Sequence, residues 1–218
     1  MTLSRDEIID RYLAGAIRKL DEGARFCLAP ISTCFCFDYS WSMAENDILP
    51  CRFMAAVLAI EAFIKKRKQA GLSDLVSAVV FAQSARVVSG LVSIAEAERR
   101  LLAPLCGESP AGGTNISAGL SKAGECLNES PSGYTRSIVL LSDGEDGGSP
   151  YDVAERIKAA GVIINCIGVG RRPQDIDEAC LKRVCSEVDG VLRYRFITDA
   201  ETLSRHFESL ATGIARTS

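Results

Sequence analysis

The chain is 218 residues long, with 47% apolar and 24% charged side chains and a formal net charge of −3, which fits one globular core of ordinary composition. That charge leaves no basic surplus to hold nucleic acid or anionic lipid, and no apolar stretch reaches the ~20 residues needed to cross a bilayer, so no membrane insertion is expected. Nine cysteines, an odd number with several inside apolar patterns, favour reduced thiols over a disulfide scaffold. The first 21 residues carry acids and bases throughout and do not read as a signal peptide, so a cytoplasmic location is expected.

In chain order, Ser4 to Leu20 carries an apolar stripe at helical spacing (Ile8, Ile9, Tyr12, Leu13, Ile17, Leu20) and is read as part of an N-terminal helical extension, residues 1–29. Ile31 to Phe37 is a continuous apolar run and a buried strand. Arg52 to Gln69 is a long apolar helix ended near Gly71; the basic run Lys65-Lys66-Arg67-Lys68 closes it and reads as a solvated helix end that complements the dipole. Asp74 to Phe81 and Ala85 to Val92 read as a hairpin split at Gln83-Ser84, and Ile94 to Leu102 as a short helix. A loop rich in Gly and Pro, Cys106 to Thr114, precedes a helix over Ile116 to Leu127.

Ser137 to Leu141 is a second buried strand, followed by the loop Asp143-Gly144-Glu145-Asp146. Pro150 opens a helix over Tyr151 to Ala160, and Val162 to Val169 is a third buried strand. Ile176 to Val188 is expected as helix, Val191 to Ile197 as strand, and Asp199 to Ile214 as a closing amphipathic helix capped by Asp199. Strands that alternate with helices and are apolar throughout imply burial on both sheet faces. The fold class is therefore α/β: a three-layer, doubly wound, mostly parallel sheet with one antiparallel edge strand after the hairpin turn. Residues 30–218 read as one domain.

Three polar loops fall at the same end of such a sheet, where ligands bind in open α/β folds. The first, Asp38-Tyr39-Ser40-Trp41-Ser42, follows the first buried strand. The second, Gly112-Gly113-Thr114-Asn115, opens a helix, and the third begins with Asp143 directly after a strand. Two carboxylates and three hydroxyls supply about the number of oxygens that an octahedral Mg²⁺ needs, with room for water. Taken singly, each piece is also ordinary turn or cap chemistry: Thr114 could simply cap the helix behind it, and Asp143-Gly144 could be a turn.

In order and spacing these segments resemble the von Willebrand factor type A domain, in which they form a metal-ion-dependent adhesion site (MIDAS). The resemblance implies a Rossmann-like fold and a Mg²⁺ (or Mn²⁺) ion bound directly by Ser40 and Ser42. Thr114 would bind directly or through water, and Asp38 and Asp143 mostly through water. It further implies a protein-binding module rather than an enzyme: a partner, within a multi-protein assembly, would present a carboxylate to the ion, with Tyr39, Trp41, Gly113, Asn115 and Gly144 at its contact surface. Trp41 stands where the family most often has Gly, and is either part of that surface or packing folded back on the sheet end.

Other residues carry less. His206, the single histidine, reads as surface or packing; Gly168-x-Gly170 lacks the rest of a dinucleotide fingerprint. Cys34 and Cys36 are expected to face opposite ways from their strand, with Cys36 packed in the sheet. Two alternatives stand beside the metal-dependent module: a metal-free scaffold on the same fold, and a metal-dependent phosphatase using Asp38 as nucleophile, for which Ser40 stands where a second acid is needed.

Overall fold

The structure is a computed structural model that describes residues 30–71, 73–107, 110–144 and 148–213; the expected extension over residues 1–29 lies outside them. Strand β1 (Ile31–Asp38) is buried along its whole length, as its unbroken apolar run requires. The side-chain alternation of a strand sends Phe35 and Phe37 into one core layer and Cys34 and Cys36 into the other. The two cysteines, two residues apart, therefore share a face, contrary to the expectation that they point apart.

The remaining elements are α1 (Arg52–Gln69), β2 (Leu75–Phe81), β3 (Ala85–Ser93), α2 (Ile116–Leu127), β4 (Thr135–Ser142), α3 (Tyr151–Ala159), β5 (Val162–Val169), α4 (Glu178–Val184), β6 (Glu187–Val188), β7 (Val191–Leu192), β8 (Tyr194–Ile197) and α5 (Ala200–Gly213). The main sheet runs β3-β2-β1-β4-β5-β8. Only β3 is antiparallel to its neighbour, which makes it the expected antiparallel edge. Helices α1 and α5 cover the face carrying Phe35 and Phe37; α2, α3 and α4 cover the other. Among the described residues no helix is long and apolar enough to cross a membrane.

Chain direction explains where a site can form. From β1 the chain moves out through β2 to β3, then returns to place β4 on the other side of β1. The loops after β1 and β4 therefore part company, and a crevice opens between their carboxyl ends. Register places Phe37 beside Leu141, so Asp38 and Ser142 are the next residues along and face each other across that crevice.

Several expectations need correction. The segment Ile94 to Leu102 begins as a turn and becomes a π-helical stretch, Glu98–Leu102, before a single α-turn at Ala103–Leu105. Pro150 sits at the N-cap of α3, one place before its first turn. The expected helix Ile176 to Val188 contracts to α4. Asp177 caps it by accepting from the Cys180 amide at 2.9 Å, and beyond it Ser186 is drawn to β5, its amide donating to Ile164 O at 2.8 Å and its hydroxyl accepting from Ile164 N at 2.9 Å. The expected strand Val191 to Ile197 divides: β7 pairs with β6 in a separate two-stranded ribbon, and β8 joins the main sheet.

The basic run at the end of α1 is not wholly solvated. Arg67 shares the core-facing stripe of Phe63 and Ile64 and is 1% exposed. Its guanidinium forks onto Asp74, Nε to Oδ2 at 2.5 Å and Nη2 to Oδ1 at 2.8 Å, and its Nη1 donates to Ala211 O at 2.8 Å. Asp74 also accepts from the Ile31 amide. One buried ion pair thus ties α1, the starts of β1 and β2, and the last turns of α5.

Candidate metal centre

Asp38 closes β1 and is fully buried. Its Oδ1 accepts the Ser40 amide at 2.9 Å and its Oδ2 accepts the Ser142 hydroxyl at 2.6 Å; the Ser142 oxygen in turn accepts the Gly144 amide at 2.9 Å. The carboxylate therefore stitches the first polar loop to the third. Burial pushes the Asp38 carboxyl up to about 6, the hydrogen bonds from Ser142 and Ser40 oppose that rise, and the neighbouring Asp143 charge adds to it.

The chain after Asp38 turns into a 3₁₀ segment, Trp41–Ala44, which brings Ser40 and Ser42 to one side with their hydroxyl oxygens 3.0 Å apart. That separation is a hydrogen bond between the two hydroxyls, and it is also compatible with an edge of a Mg²⁺ coordination shell, where neighbouring ligands at bonds of about 2.1 Å lie roughly 3.0 Å apart. The donors are hard oxygens, as that ion prefers. Among the described residues no group of three or more His, Cys, Asp or Glu side chains could hold a metal, so an ion here would depend on the hydroxyls. On this donor set the residues fit Mg²⁺ or Mn²⁺.

The second loop is locked against the first by backbone hydrogen bonds: Ala111 N to Tyr39 O at 2.7 Å and Trp41 N to Gly112 O at 3.2 Å. Gly112 has φ +93°, a conformation that suits glycine. Asn115, not Thr114, caps α2, its Oδ1 accepting the Ala118 amide at 2.9 Å, so Thr114 is not spent as the cap. Asn115 also donates to Gln83 O at 3.4 Å.

The proposed contact residues are placed unevenly. Trp41 is 69% exposed, which rules out the folded-back packing alternative. Gly113 is exposed. Tyr39 is half-buried, its ring edge-on to Phe53 at 5.6 Å with Arg86 over its face. Gly144 is buried with φ +81°, and a Cβ there would lie 2.7 Å from Asp177 O, so its role is to let the third loop pass under the start of α4.

Two participants were not singled out from sequence. Ser142 bridges Asp38 and Gly144, and its place directly before Asp143 was the available signal. Arg52 is the other. It is 4% exposed in the first turn of α1, where a cation opposes the helix dipole; that mismatch was a sequence-level hint that carboxylates surround it. They do: Asp47 takes Nε at 2.9 Å and Nη2 at 2.7 Å, Glu45 takes Nη2 at 3.0 Å, and Asp143 Oδ2 lies 3.6 Å from Nη1. Burial works against the Arg52 charge, but Asp47, Glu45 and Asp143 outweigh it and raise its pKa further. His206, far from these loops on α5, is held down to about 4 by burial and by Arg195.

Comparison with known proteins agrees with this architecture. The model of the von Willebrand factor type A domain matches residues 33–145. The chain is 32% identical over 140 residues to calcium-activated chloride channel regulator 1 of Bos taurus, covering 63% of this chain and 15% of that protein. It is 32% identical over 163 residues to calcium-activated chloride channel regulator 4 of Homo sapiens, covering 72% of this chain and 16% of that protein. The chain thus spans about one sixth of the length of these relatives. The crystal structure of the conserved hypothetical protein BatB from Bacteroides thetaiotaomicron superposes with a TM-score of 0.70 at 20% identity, over 86% of this chain and 100% of that one. With a matching family model over more than half its length and the doubly wound sheet expected of it, the chain belongs to the von Willebrand factor type A domain family.

Proposed function

We propose that the chain is a divalent-cation-dependent protein-binding module, not an enzyme, and that its partner offers a carboxylate to a Mg²⁺ or Mn²⁺ ion at the carboxyl ends of β1 and β4. The observation that carries this reading is the pair of hydroxyls, Ser40 and Ser42, 3.0 Å apart beside the buried Asp38 carboxylate. An ion held there would supply an open coordination position for an acidic side chain of the partner. Ser40, Ser42 and Thr114 would hold the ion, and Asp38 and Asp143 would neutralise it from a step behind, so that it keeps charge for the partner. Trp41 adds an exposed aromatic surface next to that position, the residue type most enriched where binding energy concentrates.

The test is a thermal melt of protein stripped with chelator, with and without Mn²⁺ or Mg²⁺. An ion present at ten times its Kd stabilises by about 1.4 kcal/mol, or roughly 3–5 °C for a domain of this size. The double variant Ser40→Ala/Ser42→Ala should abolish the shift. A wild-type melt indifferent to both cations, or a double variant that keeps the shift, would sink the proposal. A metal-free scaffold has one observation in its favour: Arg52 already brings a positive charge to Asp143. In that case the pull-down of partner proteins would be the same in chelator as in Mg²⁺.

A further inference from the structure

We infer that Arg52 is a built-in competitor of the divalent cation: its fixed positive charge shares Asp143 with the metal and sets how tightly the metal is held. This rests on the metal-site reading above.

The contacts of Arg52 are unequal in a way that assigns the role. Toward Asp47 the guanidinium makes a two-pronged contact at 2.7 and 2.9 Å, which fixes its plane and position. Toward Asp143 it makes none: Nη1 stands 3.6 Å from Oδ2, within ion-pair range but beyond a hydrogen bond. Asp47 is therefore the anchor and Asp143 the group being influenced. The two carboxylate side chains expose only 1% and 4% of their area, so water screens the interaction less than it would on a convex surface. Unlike a lysine or histidine, the guanidinium does not shed its proton. It is a cation in every state of the protein, and an incoming ion meets it each time.

The surroundings allow this competition to occur. Arg52 and Asp143 line the same open cavity as Ser42, Glu45 and Asp47, together with Arg171, Arg172 and Asp175; of its three arginines only Arg52 is in ion-pair contact with Asp143 in the structure. Ser42 is one of the two hydroxyls of the metal site, so the arginine faces that site from the side and not through the core. The buried Asp38 and Asp143 attract a cation, and Arg52 partly satisfies that demand in advance. A site so balanced releases its ion more readily than one with hydroxyls and carboxylates alone, and its occupancy responds to cation concentration.

The experiment titrates Mn²⁺ into the full chain and reads free against bound ion by electron paramagnetic resonance, for wild type, Arg52→Gln, Arg52→Lys and Asp47→Asn. Removing one buried positive charge beside a divalent ion should tighten binding by roughly tenfold in Arg52→Gln. Arg52→Lys keeps the charge and should stay within about threefold of wild type. Asp47→Asn unhooks the anchor, frees the guanidinium to close on Asp143, and should weaken binding several-fold. Opposite shifts in Arg52→Gln and Asp47→Asn are the signature, because a merely structural role would loosen the same loop in both and move both the same way. Wild type that binds Mn²⁺ with Arg52→Gln unchanged or weaker overturns the inference and leaves the metal site standing. Tightening in Arg52→Lys equal to that in Arg52→Gln overturns it as well, as does tightening in Asp47→Asn. Binding by Arg52→Gln alone supports it in its strongest form, and binding by none of the four proteins overturns both the inference and the metal site. If Arg52→Gln does not fold, the directions of Arg52→Lys and Asp47→Asn decide.

Discussion

Replacing Arg67 by Met should destabilise the domain more than any other single change in the basic run at the end of α1. Asp74 is 0% exposed and Arg67 1%, so the change leaves a carboxylate buried beside an apolar side chain. Breaking a buried ion pair from one side costs about 3–5 kcal/mol, and the lost hydrogen bond to Ala211 O adds about 1 kcal/mol. At about 2–4 °C per kcal/mol for a domain of this size, Tm should fall by roughly 8–24 °C. The double variant Arg67→Met/Asp74→Asn removes both charges while the Asn oxygen still accepts the Ile31 amide. Its loss should be only about 1–2 kcal/mol, because a neutral pair carries no stranded charge. Urea unfolding at constant m-value gives both figures. A loss under 1 kcal/mol in Arg67→Met, or a double variant less stable than that single one, would refute the reasoning, since either means that the pair is not electrostatically isolated from water.

Two further outcomes are expected. Gly119→Ala in α2 should cost about 1–3 kcal/mol in urea despite the better helix propensity of Ala, because its Cβ would sit 2.5 and 2.7 Å from the Phe81 ring and 3.1 Å from Cys36 Sγ; an unchanged midpoint would show that α2 can move off the sheet. His206 has a folded pKa near 4 against an ordinary value of 6.5, so the unfolded chain binds the extra proton first. Its contribution is complete above pH 6.5 and is lost as pH falls toward 4, on the order of 3 kcal/mol. Asp38, raised to about 6, acts in the opposite direction in chelator, its contribution being lost as pH rises from about 4 to 6. Comparing wild type with His206→Gln across this range isolates the histidine, and a stability difference independent of pH would refute its assignment.

The elements legible in sequence were those whose order is set by burial alone. β1, α1, α2 and β5 are continuous apolar runs or stripes between turn residues, and their limits match the structure within a residue. The stretch from Ile176 to Ile197 misled because its boundaries are set by distant hydrogen bonds. Ser186 is claimed by Ile164, and Arg193 is held between Ser186 O and the Cys166 amide; periodicity along the chain does not register either. Arg67 was misread because three of its neighbours in the run are lysines that suit solvent, while its own phase with Phe63 and Ile64 pointed inward. Of the candidate site, the sequence order indicated which loops meet, and the structure brings Asp38, Ser40 and Ser42 together and joins Asp38 to the start of the third loop through Ser142. Arg52 could not be picked from order and spacing, since its meaning lies in Glu45, Asp47 and Asp143 converging on it.

The division between rigid and adjustable parts of this site follows from how its loops are held. The first two loops are tied by backbone hydrogen bonds between Tyr39, Trp41, Ala111 and Gly112, and the first and third by the Asp38–Ser142 contact. Neither tie depends on a metal, so the hydroxyl pair is positioned in advance, and an ion of the kind proposed would bind without the cost of ordering it. What can vary is charge: the carboxylates gather at one end of the sheet, and Arg52 offsets them from one side only. Trp41 belongs to both parts. Its backbone is pinned to Gly112 while its indole is 69% exposed, so a large apolar side chain projects into solvent from a fixed main-chain position in the first loop. Packing within this chain does not account for so exposed an aromatic, and the partner surface proposed above does.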